Sequence, residues 1–180
     1  MKRLTPGFIA ALVSLFLILP NPSKISGLKA AGPPAPGGRM FTFEHLTMEE
    51  GLSHDVVEAI CQDRQGFMWF GTQAGLDRYD GYTIKTYRHD PNDPHSLSSN
   101  TGRALYEDRA GNLWVGTHDG GLDRFDPASG GFIHYRNDPT DPHSLSENSV
   151  WSIYEDRQGV LWVGTMSQGF NSFEPRHGQI

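Results

Sequence analysis

Polar residues that could contact a ligand follow the same Gly-Thr dipeptide at three places in the chain. After Gly71-Thr72, Gly116-Thr117 and Gly164-Thr165 the sequence reads QAG, HDGG and MSQG, although the residues before each dipeptide are similar. Positions that vary within a loop of constant shape are free to serve a ligand, whereas the alternative is that they are solvated loop residues. The candidate ligand-binding residues are Gln73, His118, Asp119, Ser167 and Gln168.

Repeated histidines, aspartates and serines raise the question of catalysis or metal binding. His95 and His143 recur at one position of a repeat, so their spacing reflects the repeat rather than a ligand set. The segments DPNDPHSL (90–97) and DPTDPHSL (138–145) lack the spaced oxygen ligands and central glycine of an EF-hand-like loop. Because one active site needs one copy of its residues, the repeated serines are expected to be structural. We expect no catalytic residue, no metal and no cofactor.

A tryptophan-centred unit occurs three times and supplies the frame for these loops. Trp69, Trp114 and Trp162 lie 45 and 48 residues apart. They stand in the similar phrases DRQGFMWFGT, DRAGNLWVGT and DRQGVLWVGT, each with a Leu-Ser pair upstream and a GLDRYD-like stretch downstream. Matches that stay in register across three copies establish an internal repeat.

Each unit is predicted to form four antiparallel strands. In the Asp-x-x-Gly before the tryptophan strand, Asp can cap a tight turn and Gly can supply a positive φ. Four strands in about 47 residues are typical of a β-propeller blade, whose two faces are covered by neighbouring blades. The sequence therefore predicts an all-β fold, a β-propeller with an incomplete ring of about three blades. Their bounds are 51–95, 96–143 and 144–180, the last incomplete.

The repeated aromatic and glycine residues are expected to be structural. A tryptophan has roughly 150–250 Å² to bury and would fill the space between adjacent blades. The glycine two residues later would let chains approach closely near the centre. Cys61 takes the strand position of Tyr106 and Tyr154, so we expect a core side chain. The structural repeat residues are Trp69, Trp114, Trp162, Gly71, Gly116 and Gly164.

The first forty residues are predicted to be a signal peptide followed by a linker. Lys2 and Arg3 precede an uncharged run over 8–19, and small residues follow around Ala30, the pattern of a signal peptide (1–30). Residues 31–40 are rich in Pro and Gly and predict a linker before the propeller at 41–180. Removing four basic residues from 15 leaves 11, against 21 acidic ones. This charge argues against nucleic acid as a partner.

The repeats resemble the two-component regulator propeller repeat. The residues that carry the resemblance are LSEN (145–148), DRQG (156–159) and LWVGT (161–165), and the opening FTFEHLTMEEGLSHD (41–55) is similar to the start of that family's sensor regions. The resemblance implies a bacterial membrane sensor with a signal, a periplasmic propeller, a membrane span and a histidine kinase or diguanylate cyclase output. Three copies would then be an N-terminal fragment.

Together these observations predict the periplasmic sensory region of a signal-transduction protein, without enzymatic activity of its own. Its expected partners are a small-molecule or oligosaccharide ligand or a protein, together with further blades and a transmembrane and output region of the same protein. One alternative is a secreted propeller enzyme, a polysaccharide or lactone lyase with His118 as base. Others are a structural interaction module and a short chain that closes its ring as a homodimer.

Overall fold

The computed structural model describes residues 43–174, so the predicted signal peptide and linker lie outside the described residues. A compact unit begins at His45. It opens with a 3-10 helix, Met48–Glu50, whose N-cap Thr47 and Glu50 form a reciprocal capping box. The rest of the described chain is strand and connecting loop, as the sequence predicts.

Eleven described strands form three antiparallel sheets in chain order. The first and second sheets have four strands each and the third has three, and within each sheet consecutive strands of the chain are hydrogen-bonded neighbours. The strands are β1 Val57–Gln62, β2 Met68–Thr72, β3 Leu76–Tyr79, β4 Ile84–Tyr87, β5 Gly102–Glu107, β6 Leu113–Thr117, β7 Leu122–Asp126, β8 Gly131–Tyr135, β9 Val150–Glu155, β10 Leu161–Thr165 and β11 Phe170–Phe173. Each sheet is a meander, which is the predicted organisation of a blade.

The repeated aspartate caps the first turn of each sheet and also holds the tryptophan. Asp108 Oδ1 accepts the Asn112 N–H at 2.8 Å, and its Oδ2 accepts the Trp114 Nε1–H at 2.9 Å. Asp63 binds Trp69 and Asp156 binds Trp162 in the same way, at 2.7 and 2.9 Å. One carboxylate therefore fixes both the turn and the orientation of the indole.

Apolar side chains fill the two spaces between successive sheets. Trp69 is 2% exposed and packs with Leu113, Val115 and Phe132 of the second sheet. Trp114 is 1% exposed and packs with Leu161 and Val163 of the third sheet. Trp162 differs, because 37% of it is exposed on a face of the third sheet that no other described sheet covers.

The glycines after the tryptophans stand where sheets or strands approach closely. A Cβ on Gly71 would lie 2.6 Å from Gly102 O, and one on Gly116 would lie 2.5 Å from Val150 Cγ1, both in the next sheet. At Gly164 the nearest atom is Ser152 Oγ of the same sheet. Cys61 is half-buried against the apolar cluster between the first and second sheets, and burial raises the pKa of its thiol.

A polar side chain of the third strand accepts a hydrogen bond from the Leu-Ser start of each repeat. Asp77 is fully buried and accepts the N–H and the hydroxyl of Ser53 at 2.7 and 2.8 Å. Asp123 accepts the Ser98 N–H at 2.8 Å, and Asn171 takes this position in the third sheet. The serine of each Leu-Ser pair thus donates a hydrogen bond to the third strand of its own sheet.

In the first two repeats, the Arg of the Asp-Arg turn links its sheet to the next one. Arg64 donates its N–H and its Nε–H to Glu107, both at 2.9 Å. Arg109 repeats the backbone contact with Glu155 at 2.8 Å. These contacts, which are not apolar, fix the relative position of successive sheets.

The proline-bearing crossing segment 90–97 lies along the outer edge of the second sheet. Its His95 O accepts the Phe132 N–H at 2.8 Å, and its Pro94 O meets His134 Nε2 at 2.9 Å. This covers an edge that would otherwise present free backbone groups. The middle of the segment therefore lies away from the Gly-Thr loops.

Candidate functional site

The first strand of every sheet contains a β-bulge, which places one extra residue outside the regular pairing with the second strand. Val57 pairs with Thr72 and Ala59 with Gly71, so Glu58 is the extra residue. By the same register, Arg103 and Trp151 are the extra residues of the second and third sheets. Bulges commonly redirect side chains at functional sites. These three bulge residues occupy one structural position but differ in chemical type.

The bulge residues contact one another from sheet to sheet. Arg103 Nη1 lies 3.7 Å from Glu58 Oε2, and its guanidinium carbon lies 4.6 Å from the centre of the Trp151 ring. Trp151 is 47% exposed, which is unusual for a residue of that size. An exposed ring beside a cation and a carboxylate can bind a polar ligand that also has an apolar face.

Two of the predicted ligand residues join this network. Gln73 Nε2 donates to Glu58 Oε1 at 2.9 Å, and Arg103 Nε donates to His118 Nδ1 at 3.2 Å. Gln73 and His118, which belong to different sheets, are thus linked through Glu58 and Arg103. We call these residues with Trp151 the bulge network.

A depression of about 520 Å³ lies beside the bulge network, over the second sheet. His118 and Asp119 line it, together with Gly120 of the same loop. The remaining walls come from the end of β4, the Leu-Ser region before β5, the end of β8 and the start of the third repeat. The residues of those walls are His89, Ser98, Ser99, Asn100, Thr101, Arg136 and Asn148.

The other two predicted residues form a separate arrangement on the third sheet. Ser167 donates its N–H to Glu147 Oε2 at 2.8 Å and its hydroxyl to Glu147 Oε1 at 3.1 Å. Gln168 donates its N–H to Glu147 Oε2 at 3.2 Å. These hydrogen bonds, led by that from the Ser167 backbone, lower the pKa of Glu147. No described contact connects Ser167 or Gln168 to the bulge network.

The hydrogen bonds of His118 bear on whether it could act as a base. Arg103 Nε–H can only donate, so Nδ1 of His118 is the acceptor. In the neutral imidazole the proton must then be on Nε2. Both nitrogens are therefore unsuited to remove a proton unless Arg103 moves, which argues against the lyase alternative.

The residues that connect Gln73 to His118 were not among the candidates predicted from the sequence. Glu58, Arg103 and Trp151 are the second residue of the first strand in each repeat, and they differ in type between repeats. The rule that selected the loops, variation within a constant frame, would have selected this position also. The bulge, which only the strand register shows, explains why this variable position matters.

Residues 43–174 contain neither a metal-binding cluster nor a membrane-spanning helix. Within residues 43–174, no group of three or more His, Cys, Asp or Glu side chains is arranged to hold a metal ion. In the same part of the chain, no helix is both long and apolar enough to cross a membrane.

Comparison with known proteins agrees with the repeat assignment. The family model of the two-component regulator propeller matches residues 51–74, 96–119 and 144–167, which are the starts of the three sheets. The three units are two-component regulator propeller repeats. Each sheet is accordingly a blade of a β-propeller, and the first, second and third blades are named in chain order below.

Proteins similar to this propeller include extracellular domains of hybrid two-component systems and a histidine kinase. The extracellular domains of two hybrid two-component systems of B. thetaiotaomicron are 33% and 31% identical to it, with TM-scores of 0.70 and 0.60. Each match covers 76% of this chain and 19% of the other. A histidine kinase of Formosa agariphila is 45% identical over 58 residues, which are 32% of this chain and 4% of that protein. The chain thus spans a small part of each relative and is similar to a sensor-type extracellular region.

Proposed function

We propose that this propeller is the ligand- or partner-binding part of a sensor outside the cytoplasm, within a longer protein that carries a membrane span and an output domain. The observation that carries the proposal is the similarity over 76% of the chain to the extracellular domain of a hybrid two-component system. The bulge network supports it, because side chains of three blades converge there.

The proposed mechanism is a shift in population. A ligand that contacts Trp151 and Arg103 touches the third and second blades together, and Arg103 in turn contacts Glu58 of the first. Such a ligand would favour one arrangement of neighbouring blades over another, and hence one state of the output domain. The ligand class proposed is a small molecule, an oligosaccharide or a protein segment.

The test uses the complete product of the gene. Reading the gene beyond the codon for Ile180 is expected to reveal further blades, a span and a kinase or cyclase domain. Pools of oligosaccharides and small molecules are then applied to membrane vesicles, and phosphoryl transfer or cyclic-dinucleotide formation is measured. Arg103→Ala and Trp151→Ala should each raise the half-maximal ligand concentration at least tenfold.

A matched control distinguishes the network from general damage. Tyr82 is 89% exposed in the turn between β3 and β4, so Tyr82→Ser should leave the response unchanged. A stop codon directly after Ile180, or a response that ignores both network variants, would contradict the proposal.

A separate experiment tests whether residues 1–40 direct export. A fusion of residues 1–40 to alkaline phosphatase lacking its leader should be active outside the cytoplasm of a bacterial host. The same fusion with Lys2 and Arg3 changed to Glu should lose most of that activity, because the basic segment of a signal is removed. Equal activity of the two fusions would count against the proposed export.

A further inference from the structure

Glu147 shows what the loop after Gly-Thr binds in the third blade. Its carboxylate accepts the N–H groups of Ser167 and Gln168 and the hydroxyl of Ser167. Glu147 is the third residue of LSEN (145–148), two residues after the leucine that starts the repeat. A carboxylate of the chain itself thus occupies the donors of this loop.

The loop of the second blade has the same backbone frame. Thr117 N–H donates to Gly121 O at 3.0 Å, as Thr165 N–H donates to Gly169 O at 2.8 Å. The residue after each threonine is also held alike, since His118 N–H donates to Thr101 O and Met166 N–H to Ser149 O, both at 3.0 Å. Asp119 therefore corresponds to Ser167.

Serine replaces the glutamate in the second blade. The corresponding segment is LSSN (97–100), so Ser99 stands where Glu147 stands in the third blade. Its hydroxyl is directed to its own turn, where it accepts the Thr101 N–H at 3.4 Å. Asp119 N–H has no hydrogen-bond partner among residues 43–174. The depression of about 520 Å³ opens at this position.

The depression is rich in hydrogen-bond donors. Asn100 Oδ1 accepts the His89 N–H at 2.8 Å, and Asn148 Oδ1 accepts the Asn137 N–H at 2.7 Å. A backbone N–H can only donate, so the amide Nδ2 of both asparagines is left for other partners. Arg136 donates from Nε to Gly120 O, and within residues 43–174 its two Nη groups have no hydrogen-bond partner. The walls carry one carboxylate, that of Asp119.

We propose that this depression in the second blade binds the carboxylate of a small ligand, which takes the place that Glu147 takes in the third blade. The carboxylate would accept from Asp119 N–H, from the amides of Asn100 and Asn148 and from Arg136. Charge-assisted hydrogen bonds of this kind are the stronger ones in proteins. The biological role of this binding rests on the proposed sensory function, whereas the experiment below measures binding alone.

The experiment follows backbone amides of the full chain by nitrogen-15 NMR. Sodium succinate is the probe, uncharged succinamide is the control, and sodium chloride holds the ionic strength constant. Succinate should give saturable shifts at Asp119 and Gly120, and succinamide should not. Arg136→Gln should weaken succinate binding about tenfold, the loss of one charge-assisted contact.

Two substitutions, each of which gives one blade the residue that the other blade has at the same position, make the test specific. Ser99→Glu supplies an internal carboxylate and should abolish the succinate shifts at Asp119 and Gly120, while Glu147→Ser should create new saturable shifts at Ser167 and Gln168. The two variants check each other if one fails to fold.

Each contrary result has a definite meaning. Equal shifts with succinamide, or succinate binding that survives Ser99→Glu, would overturn the carboxylate site. Succinate binding in this assay without any signalling response in the vesicle assay would instead overturn the sensory function and leave the site intact.

Discussion

Single side chains in this propeller perform several structural tasks at once. Asp108 is 3% exposed and holds the turn through its backbone contact and the core through the indole of Trp114. It also accepts the Asn112 side-chain amide at 2.7 Å. Removal of such a group leaves buried donors without partners, which costs more than the hydrogen bonds themselves contribute.

Asp108→Ala is therefore expected to lower the free energy of unfolding by about 2–4 kcal/mol. Asp156→Ala is the matched control, because Asp156 makes the equivalent bond to Trp162, an indole that water already reaches. Its effect should be clearly smaller. Urea denaturation followed by tryptophan fluorescence measures both, and equal losses would show that burial of the indole is irrelevant.

A second side chain predicts a pH dependence of stability. His134 Nδ1 lies 2.7 Å from Asp123 Oδ1, and Nε2 lies 2.9 Å from Pro94 O. Both partners are acceptors, so only the doubly protonated ring satisfies them together. The Asp123 hydrogen bond is the main cause that raises the pKa of His134 above its ordinary value of 6.5, while partial burial and Arg136 oppose it.

A raised pKa in the folded state stabilises the fold at low pH. The contribution is complete below pH 6.5 and is lost as the pH rises through the folded-state pKa. His134→Thr, which introduces the residue that binds Asp77 in the first blade (Thr86), should remove this dependence. Thermal unfolding between pH 5.5 and 8.5 tests this, and an unchanged pH profile in the variant would contradict the assignment.

Close approach of consecutive blades depends on one small residue of the second strand. A Cβ at position 116 would collide with Val150, which is fully buried in the next blade. The same change at position 164 would meet Ser152 Oγ on an exposed residue of its own blade. The two glycines look identical in sequence, but only one lies between two described blades.

Gly116→Ala should accordingly destabilise the protein by about 1–3 kcal/mol through overpacking. Gly164→Ala should cost less, because the Ser152 hydroxyl can rotate away. Chemical denaturation of the two variants measures the difference. A larger loss for Gly164→Ala would mean that the contact between the second and third blades is not tight at Val150.

One apolar face of the third blade determines how the described chain should behave in solution. Trp162, Tyr154 and Phe170 are 37%, 61% and 69% exposed. In the first and second blades the equivalent face is covered by the next blade. An exposed apolar face of this kind favours association.

The 180-residue chain is expected to self-associate in a concentration-dependent manner. Phe170→Ser should shift the association to at least tenfold higher protein concentration, while Tyr82→Ser, at an exposed site elsewhere, should not. Sedimentation velocity over a hundredfold range of concentration provides the measurement. A parent chain that stays monomeric throughout would contradict this expectation.

The internal repeat determined most of the fold. Strand pairing within a blade is local, so the Asp-x-x-Gly turns and the alternation around each tryptophan predicted three meanders that the structure confirms. Similar residues in register also implied similar packing, which is correct for Trp69 and Trp114. The local pattern could not show that Trp162 is more exposed, since that depends on which blade lies next to it.

The candidate site was only partly accessible from sequence. Variation after the Gly-Thr pairs identified His118 and Asp119, which the structure places in one depression. Arg103 and Trp151 lie within strands, where alternation assigns a side chain to one face or the other. A bulge breaks that alternation, and its position follows from pairing with another strand.

By itself the sequence determined the element type, the repeat length and the residues that hold each turn, because these depend on contacts between neighbours in the chain. Only the tertiary structure decided which repeated residues are equivalent in environment as well as in type. Glu147 and Ser99 stand at the same place in successive repeats, but a carboxylate and a hydroxyl leave different donors available across the loop they face. That difference requires three-dimensional proximity, which no linear pattern contains.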